Sequence, residues 1–150
     1  MAKFQSILTR TSSTTLSVGA VYCPGASMKR FGIYDLEIGS DATPADQVLR
    51  WELTRTSTVG TIGSSVTPGP NDPADAAAVT LSAQAHSVDP TLGVVLKAIP
   101  LNQRATFRWM AYDRDDQLIV PATANNGIAV RTPVSSALVS VYASVGFEER

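Results

Sequence analysis

One cysteine and one histidine in 150 residues leave little catalytic chemistry open to this chain. Cys23 has no partner within the chain, so no intrachain disulfide forms, and the fold does not depend on an oxidising compartment. Cys23 and His86 together are too few ligands for a structural zinc site. A Ser-His-Asp arrangement would have to use His86 as its base, and no Gly-x-Ser-x-Gly turn presents a serine to it. In its Ala/Ser context His86 reads as a strand-surface residue. Gly60 and Gly63 are followed by neither a lysine nor a helix signal, so no phosphate cradle is expected. Asp113, Asp115 and Asp116 lack the glycine and terminal glutamate of a calcium loop and read as a solvated turn. The four glutamates are expected on exposed strand faces or at the C-terminus. No enzyme activity, metal or cofactor is therefore expected.

An excess of charge is also missing. The net charge is −1, so no overall field draws the chain to nucleic acid or to an anionic membrane. No apolar run reaches the ~18 residues of a membrane-spanning helix. Met1 to Arg10 has no apolar stretch of the signal-peptide kind. Arginine outnumbers lysine nine to three. Arginine suits fixed bidentate contacts at protein interfaces, although composition bias accounts for the same ratio.

Thr, Ser and Val are abundant, at 15 residues each. An excess of β-branched and small polar residues favours an all-β domain. The length suits one domain, and at this size roughly 68–70% of the unfolded surface can be buried, enough for a core without staples. Alternation marks the strands. In 29–38, Phe31, Ile33, Asp35 and Glu37 alternate with Gly32, Tyr34, Leu36 and Ile38. In 47–58, Leu49, Trp51 and Leu53 point inward. In 136–148, Ala137, Val139, Val141, Ala143, Val145 and Phe147 share one face. Shorter extended runs are expected at 79–86, 92–98, 104–112, 117–120 and 127–131. Residues 39–46 and 60–73 read as loops. Asp72-Pro73 looks like the start of one or two helical turns over 74–78. Eight or nine short strands with almost no helix predict an all-β, single-domain β-sandwich, and an eight-stranded jelly roll fits that count best.

The passage 101–130 is the most informative. Ala105, Phe107, Trp109 and Ala111 alternate with Arg104, Thr106, Arg108 and Met110. Arginines interleaved with aromatics could mark a nucleic-acid surface. The alternation instead puts Phe107 and Trp109 in the core and the arginines outside, so no nucleic-acid partner is expected. Asp113 to Asp116 is a turn, Pro121 ends the next strand, and Asn125-Asn126-Gly127 supplies a tight turn.

The wording of this passage resembles small decoration (cement) proteins of tailed bacteriophage capsids. The likeness is carried by NQRATFRWMA at 102–111, PATANNGI at 121–128 and VDPT at 88–91. LRWELTR at 49–55, TPGPNDPAD at 67–75 and the ending Phe147-Glu148-Glu149 fit the same pattern, and the likeness spans roughly residues 30–148. It implies a β-rich body on the outside of an icosahedral shell, assembled in the host cytoplasm, which clamps neighbouring major capsid subunits. It also implies a homo-oligomer, commonly a trimer at three-fold positions. Residues 1–28 form an extended N-terminal segment and 29–150 the body. The segment serves either as an arm, with Phe4, Ile7 and Leu8 as anchors on another subunit, or as the first strand of the sandwich; loop 60–73 would reach out similarly. The alternative function is a jelly-roll carbohydrate- or receptor-binding module on a virion or cell surface, which would need Trp51 or Trp109 exposed in a groove. A small hydrolase would need a cleft joining His86 to a serine and an aspartate.

Overall fold

The computed structural model describes all residues from Met1 to Arg150. Twelve strands form: β1 Lys3–Thr11, β2 Gly19–Tyr22, β3 Phe31–Ala42, β4 Val48–Thr56, β5 Ser64–Val66, β6 Gly69–Pro70, β7 Leu81–Gln84, β8 Leu92–Asn102, β9 Phe107–Met110, β10 Leu118–Val120, β11 Gly127–Ser135 and β12 Ser140–Glu149. They build two antiparallel six-stranded sheets packed face to face, a β-sandwich. Sheet A runs β10-β3-β12-β1-β6, with β9 also paired to β3; sheet B runs β5-β7-β2-β11-β4-β8. The twelve strands exceed the eight expected of a jelly roll.

The core is the inner layer of both sheets. Sheet A contributes Phe4, Leu8, Ile33, Leu36, Ile38, Val141, Val145 and Phe147; sheet B contributes Val21, Leu49, Trp51, Leu53, Ile128 and Val130. Phe147 stacks on Phe4 at 5.5 Å and meets Phe31 edge-on at 5.7 Å. Full burial of each such side chain stabilises the fold by about 1.5–3 kcal/mol. Ser6 and Ser82 share a buried 2.7 Å hydrogen bond between the sheets.

The alternation of β12 holds along its length, but that of β3 changes phase. Gly146 pairs with Asp35 and Phe147 with Ile33, which leaves Tyr34 as an extra residue. This β-bulge turns Phe31 and Ile33 inward before it and Leu36 and Ile38 inward after it. A side chain at Gly146 would meet Tyr34 Cζ at 3.1 Å and Asp35 Cβ at 3.0 Å, so the bulge closes onto a glycine.

Of the two readings of the N-terminal segment, the first strand of the sandwich is the one observed: β1 pairs with β12 from Lys3↔Glu148 to Thr11↔Ser140, and inward-facing Phe4 and Leu8 belong to the core. Two expectations are corrected. No helix forms at 74–78, where Asp72 only caps a turn, with Oδ1 accepting from the Ala74 amide at 2.9 Å. The chain beyond is drawn to the C-terminus, because Glu149 Oε1 accepts from the Val79 and Thr80 amides at 2.7 and 2.6 Å. The loop 60–73 contains β5 and β6, which extend the two sheets.

On the outer face of sheet B, Thr54, Ala129, Ala20 and Ala83 stand side by side across four strands. All four are closed to solvent. Two loops, 57–63 and 85–91, form the layer above them. They are zipped together by Ser57 N to Thr91 O, Thr61 N to Val88 O and Ser87 N to Thr61 O, at 2.9–3.1 Å. Asp89 ties this lid to the body, accepting from Ser17 N at 2.7 Å and Ser17 Oγ at 3.0 Å and facing Arg131 of β11 at 3.7 Å.

Candidate interaction surface

One flank of the sandwich is an edge in both sheets. There β8 closes sheet B and β9 borders sheet A. Ile99 and Leu101 face inward from β8 and pack against the core, as does Trp109 from β9. Lys97 follows Ile99 in the alternation and bridges the sheets, its Nζ 4.4 Å from the Trp109 ring centroid. A cation held over an aromatic face is attracted by the ring quadrupole, and here the contact covers the mouth of the sandwich.

The apolar groups beside that contact are open. Val94 is 69% exposed, and Val95 and Phe107 are also exposed. Met110 and Tyr112, also open, stand instead on the outer face of sheet A around a hollow shared with Lys3 and Tyr34. Exposed apolar side chains on a sheet border mark sites of association. The expectation that Phe107 is core is corrected: β9 is a short border strand, so nothing flanks it on one side, while Trp109 is covered by Lys97 and the core. Arg108 points to the outer face of sheet A, where it grips Asp35 through two bonds of 2.9 and 2.7 Å. That charge-assisted pairing with Asp35, helped by nearby Glu37, raises the Arg108 pKa further.

The backbone of this edge is shielded. The β8–β4 register slips twice, between Leu53 and Thr54 and between Thr54 and Thr56. The Gln103 amide bonds the Gln47 carbonyl. By alternation Leu101 and Ile99 also bond inward, and Pro100 occupies an outward position with no donor to offer. Bulges, a proline and a lysine are the devices that keep edge strands from pairing. The flank therefore offers side chains, not a ladder, to a partner. The Val94-Val95 doublet is the sequence signal for it, since two adjacent strand residues cannot both face inward.

The predicted anchors are not brought together here. Phe4 and Leu8 are fully buried, and Ile7 alone of the three is exposed, on the outer face of sheet A. Trp51 is buried and Trp109 is capped by Lys97, so neither tryptophan floors a groove. An open hollow of about 470 Å³ lies between the ends of β4, β10 and β11. Its one charged side chain, Arg55, donates from a guanidinium nitrogen to the Ile119 carbonyl at 2.7 Å. No group of three or more His, Cys, Asp or Glu side chains is placed to hold a metal ion. No helix is long and apolar enough to cross a membrane.

His86 is not on the surface, as its sequence context suggested, but completely buried beneath the lid. It lies near Asp89 and Ser17, the residue types of a hydrolytic triad. The connectivity differs from a triad: the Ser17 hydroxyl donates directly to the Asp89 carboxylate, and neither imidazole nitrogen has a hydrogen-bond partner. Ser17 is itself fully buried, so no nucleophile–base pair faces solvent. Burial lowers the His86 pKa, with Asp89 opposing that shift and Arg10 adding to it. The glutamates, too, are less exposed than expected. Glu52, Glu148 and Glu149 are buried, with Glu148 paired to Arg114 and Arg150, and Glu149 to Lys29, each at 3.1 Å.

No protein-family model matches this chain, and no curated protein or solved structure matches it.

Proposed function

We propose that this protein is a structural component of a bacteriophage virion that binds the outer surface of the capsid and stabilises contacts between major capsid subunits, as a homo-oligomer, with a trimer favoured. The observation that carries the reading is the β8–β9 flank. It presents apolar side chains beside an edge that is shielded against strand pairing, which suits a protein that docks by side-chain contact. The likeness of residues 30–148 to capsid decoration proteins gives that docking its setting. The buried and capped positions of the two tryptophans weigh against a carbohydrate platform.

The test is co-purification with assembled particles, quantified against the major shell subunit. The protein is expected on particles at a fixed ratio. Changing Val95 and Phe107 to glutamate should lower occupancy at least tenfold, as an interface loss of about 1.4 kcal/mol or more requires, with the melting temperature of the free protein unchanged. Absence of the unaltered protein from particles would refute the reading. Full occupancy by the double variant would move the contact to another surface.

A further inference from the structure

We propose that the paired loops 57–63 and 85–91 form an acid-sensitive lid, latched by His86, which opens while the sandwich beneath it stays folded. The inference is independent of any role on a capsid. It begins with a buried group that is poorly satisfied: the His86 ring is fully enclosed, neither Nδ1 nor Nε2 makes a well-formed hydrogen bond, and only the Val59 backbone approaches it as an acceptor. A neutral imidazole has one N–H, which the Val59 backbone can face, whereas an imidazolium would bring a second N–H without an acceptor and a full charge.

The groups facing the ring do not accommodate that charge. Asp89, from the same loop, favours it, as does the backbone at Val59 in the opposite loop; Arg10 of β1 opposes it. Asp89 is already engaged by the Ser17 amide and hydroxyl and by Arg131 of β11. Arg131 is in turn shared with Glu52 of β4 at 3.9 Å. Arg10 is fixed in place by donating to the Ser17 and His86 carbonyls at 3.2 and 3.0 Å. Burial prevails, and the closed lid disfavours protonation.

The lid is built to move as a unit. Its backbone bonds run mainly from loop to loop, at Thr61–Val88 and Ser57–Thr91. Ile62 and Val88 lie exposed on its outer side, so apolar anchoring rests on half-buried Val59 and buried Pro90. Ala85, at its start, has φ 55°, a left-handed backbone that opening would relax. Beneath it the floor is the flat row of Ala20, Ala83, Ala129 and Thr54.

The sign follows from linkage. Above pH about 6.5 the imidazole is neutral whether the lid is open or shut, and acid has no effect. Below that value the open form takes up a proton that the closed form refuses. The opening equilibrium then rises by up to about tenfold per pH unit, until the closed imidazole itself titrates.

Two measurements on the full chain test this. As the only histidine, His86 gives a single imidazole signal by NMR, and it should titrate below about 6.5 in the folded protein. Hydrogen exchange, corrected for the intrinsic effect of pH, should show amides of 57–63 and 85–91 losing up to about tenfold protection between pH about 6.5 and about 5.5, while β12 amides keep theirs. In His86→Gln that loss should vanish. An imidazole titrating at or above its ordinary value, lid and β12 amides yielding together, or an unchanged response in His86→Gln would each overturn the proposal. Should His86→Gln fail to fold, the wild-type titration and exchange profile decide it alone.

Discussion

Ala20, Ala83 and Ala129 on the outer face of sheet B are closed to solvent, whereas Ile7 and Met110 on the outer face of sheet A are more than half exposed. Both faces have the same pleat and the same antiparallel pairing. They differ in side-chain height. A row of methyl groups lets a second layer of backbone lie flat on sheet B. On sheet A, Tyr34, Tyr142, Gln5 and Arg108 stand up from the strands and pair with neighbours instead. The Tyr34 hydroxyl accepts from Asn71 Nδ2 at 3.1 Å, and the Tyr142 hydroxyl donates to Glu37 at 3.2 Å. Burial here follows whether a covering layer can approach, not polarity: Glu52 and Thr54 are buried and Ile7 is not.

The largest effect should come from the inner layer, which both sheets share. Phe147→Ala removes the ring between Phe4 and Phe31 and should cost about 3–5 kcal/mol in chemical denaturation. The contrast between outer faces is sharpened next. Ala129→Leu would force a longer side chain under the lid and should cost about 1–3 kcal/mol. Ser144→Leu, on the outer face of sheet A, should stay within about 0.5 kcal/mol. Equal costs would break the comparison. Ile7→Thr should also change stability by no more than about 0.5 kcal/mol. The last probe leaves stability untouched. Cys23 is fully buried, and its thiol is pushed above its ordinary range chiefly by desolvation. It should resist a thiol reagent at mildly alkaline pH in the folded protein and react at once in denaturant. Fast labelling of the native chain would mean that the interior opens more readily than the lid.

Legibility from sequence tracked how local each determinant is. The strand at 140–149 was readable because one unbroken period of two runs through Val141, Ala143, Val145 and Phe147. Residues 31–38 gave the strand but only half of its facing, because the Tyr34 bulge is set by pairing with β12. Phe107 was assigned inward since alternation names two faces without saying whether anything covers either. The β1 segment looked detachable because Phe4 and Leu8 alternate with an equally apolar Ile7. His86 was placed on the surface because its burial comes from a loop more than twenty residues upstream. The interaction flank was not legible: the Val94-Val95 doublet puts an apolar side chain on each face, but which strands form the borders is a property of the finished sheets.

The shielding of β8 has a consequence for crowding. Eleven residues from Leu92 to Asn102 make it one of the longest strands and a sheet border, the combination from which fibrils grow. Two register slips and a prolyl nitrogen interrupt the template, so copies brought close together can touch without merging their sheets. The border can therefore carry apolar side chains while its main chain offers a poor template for edge-to-edge pairing. Replacing Pro100 with valine would restore a donor to the row and test how far that one nitrogen keeps neighbours distinct.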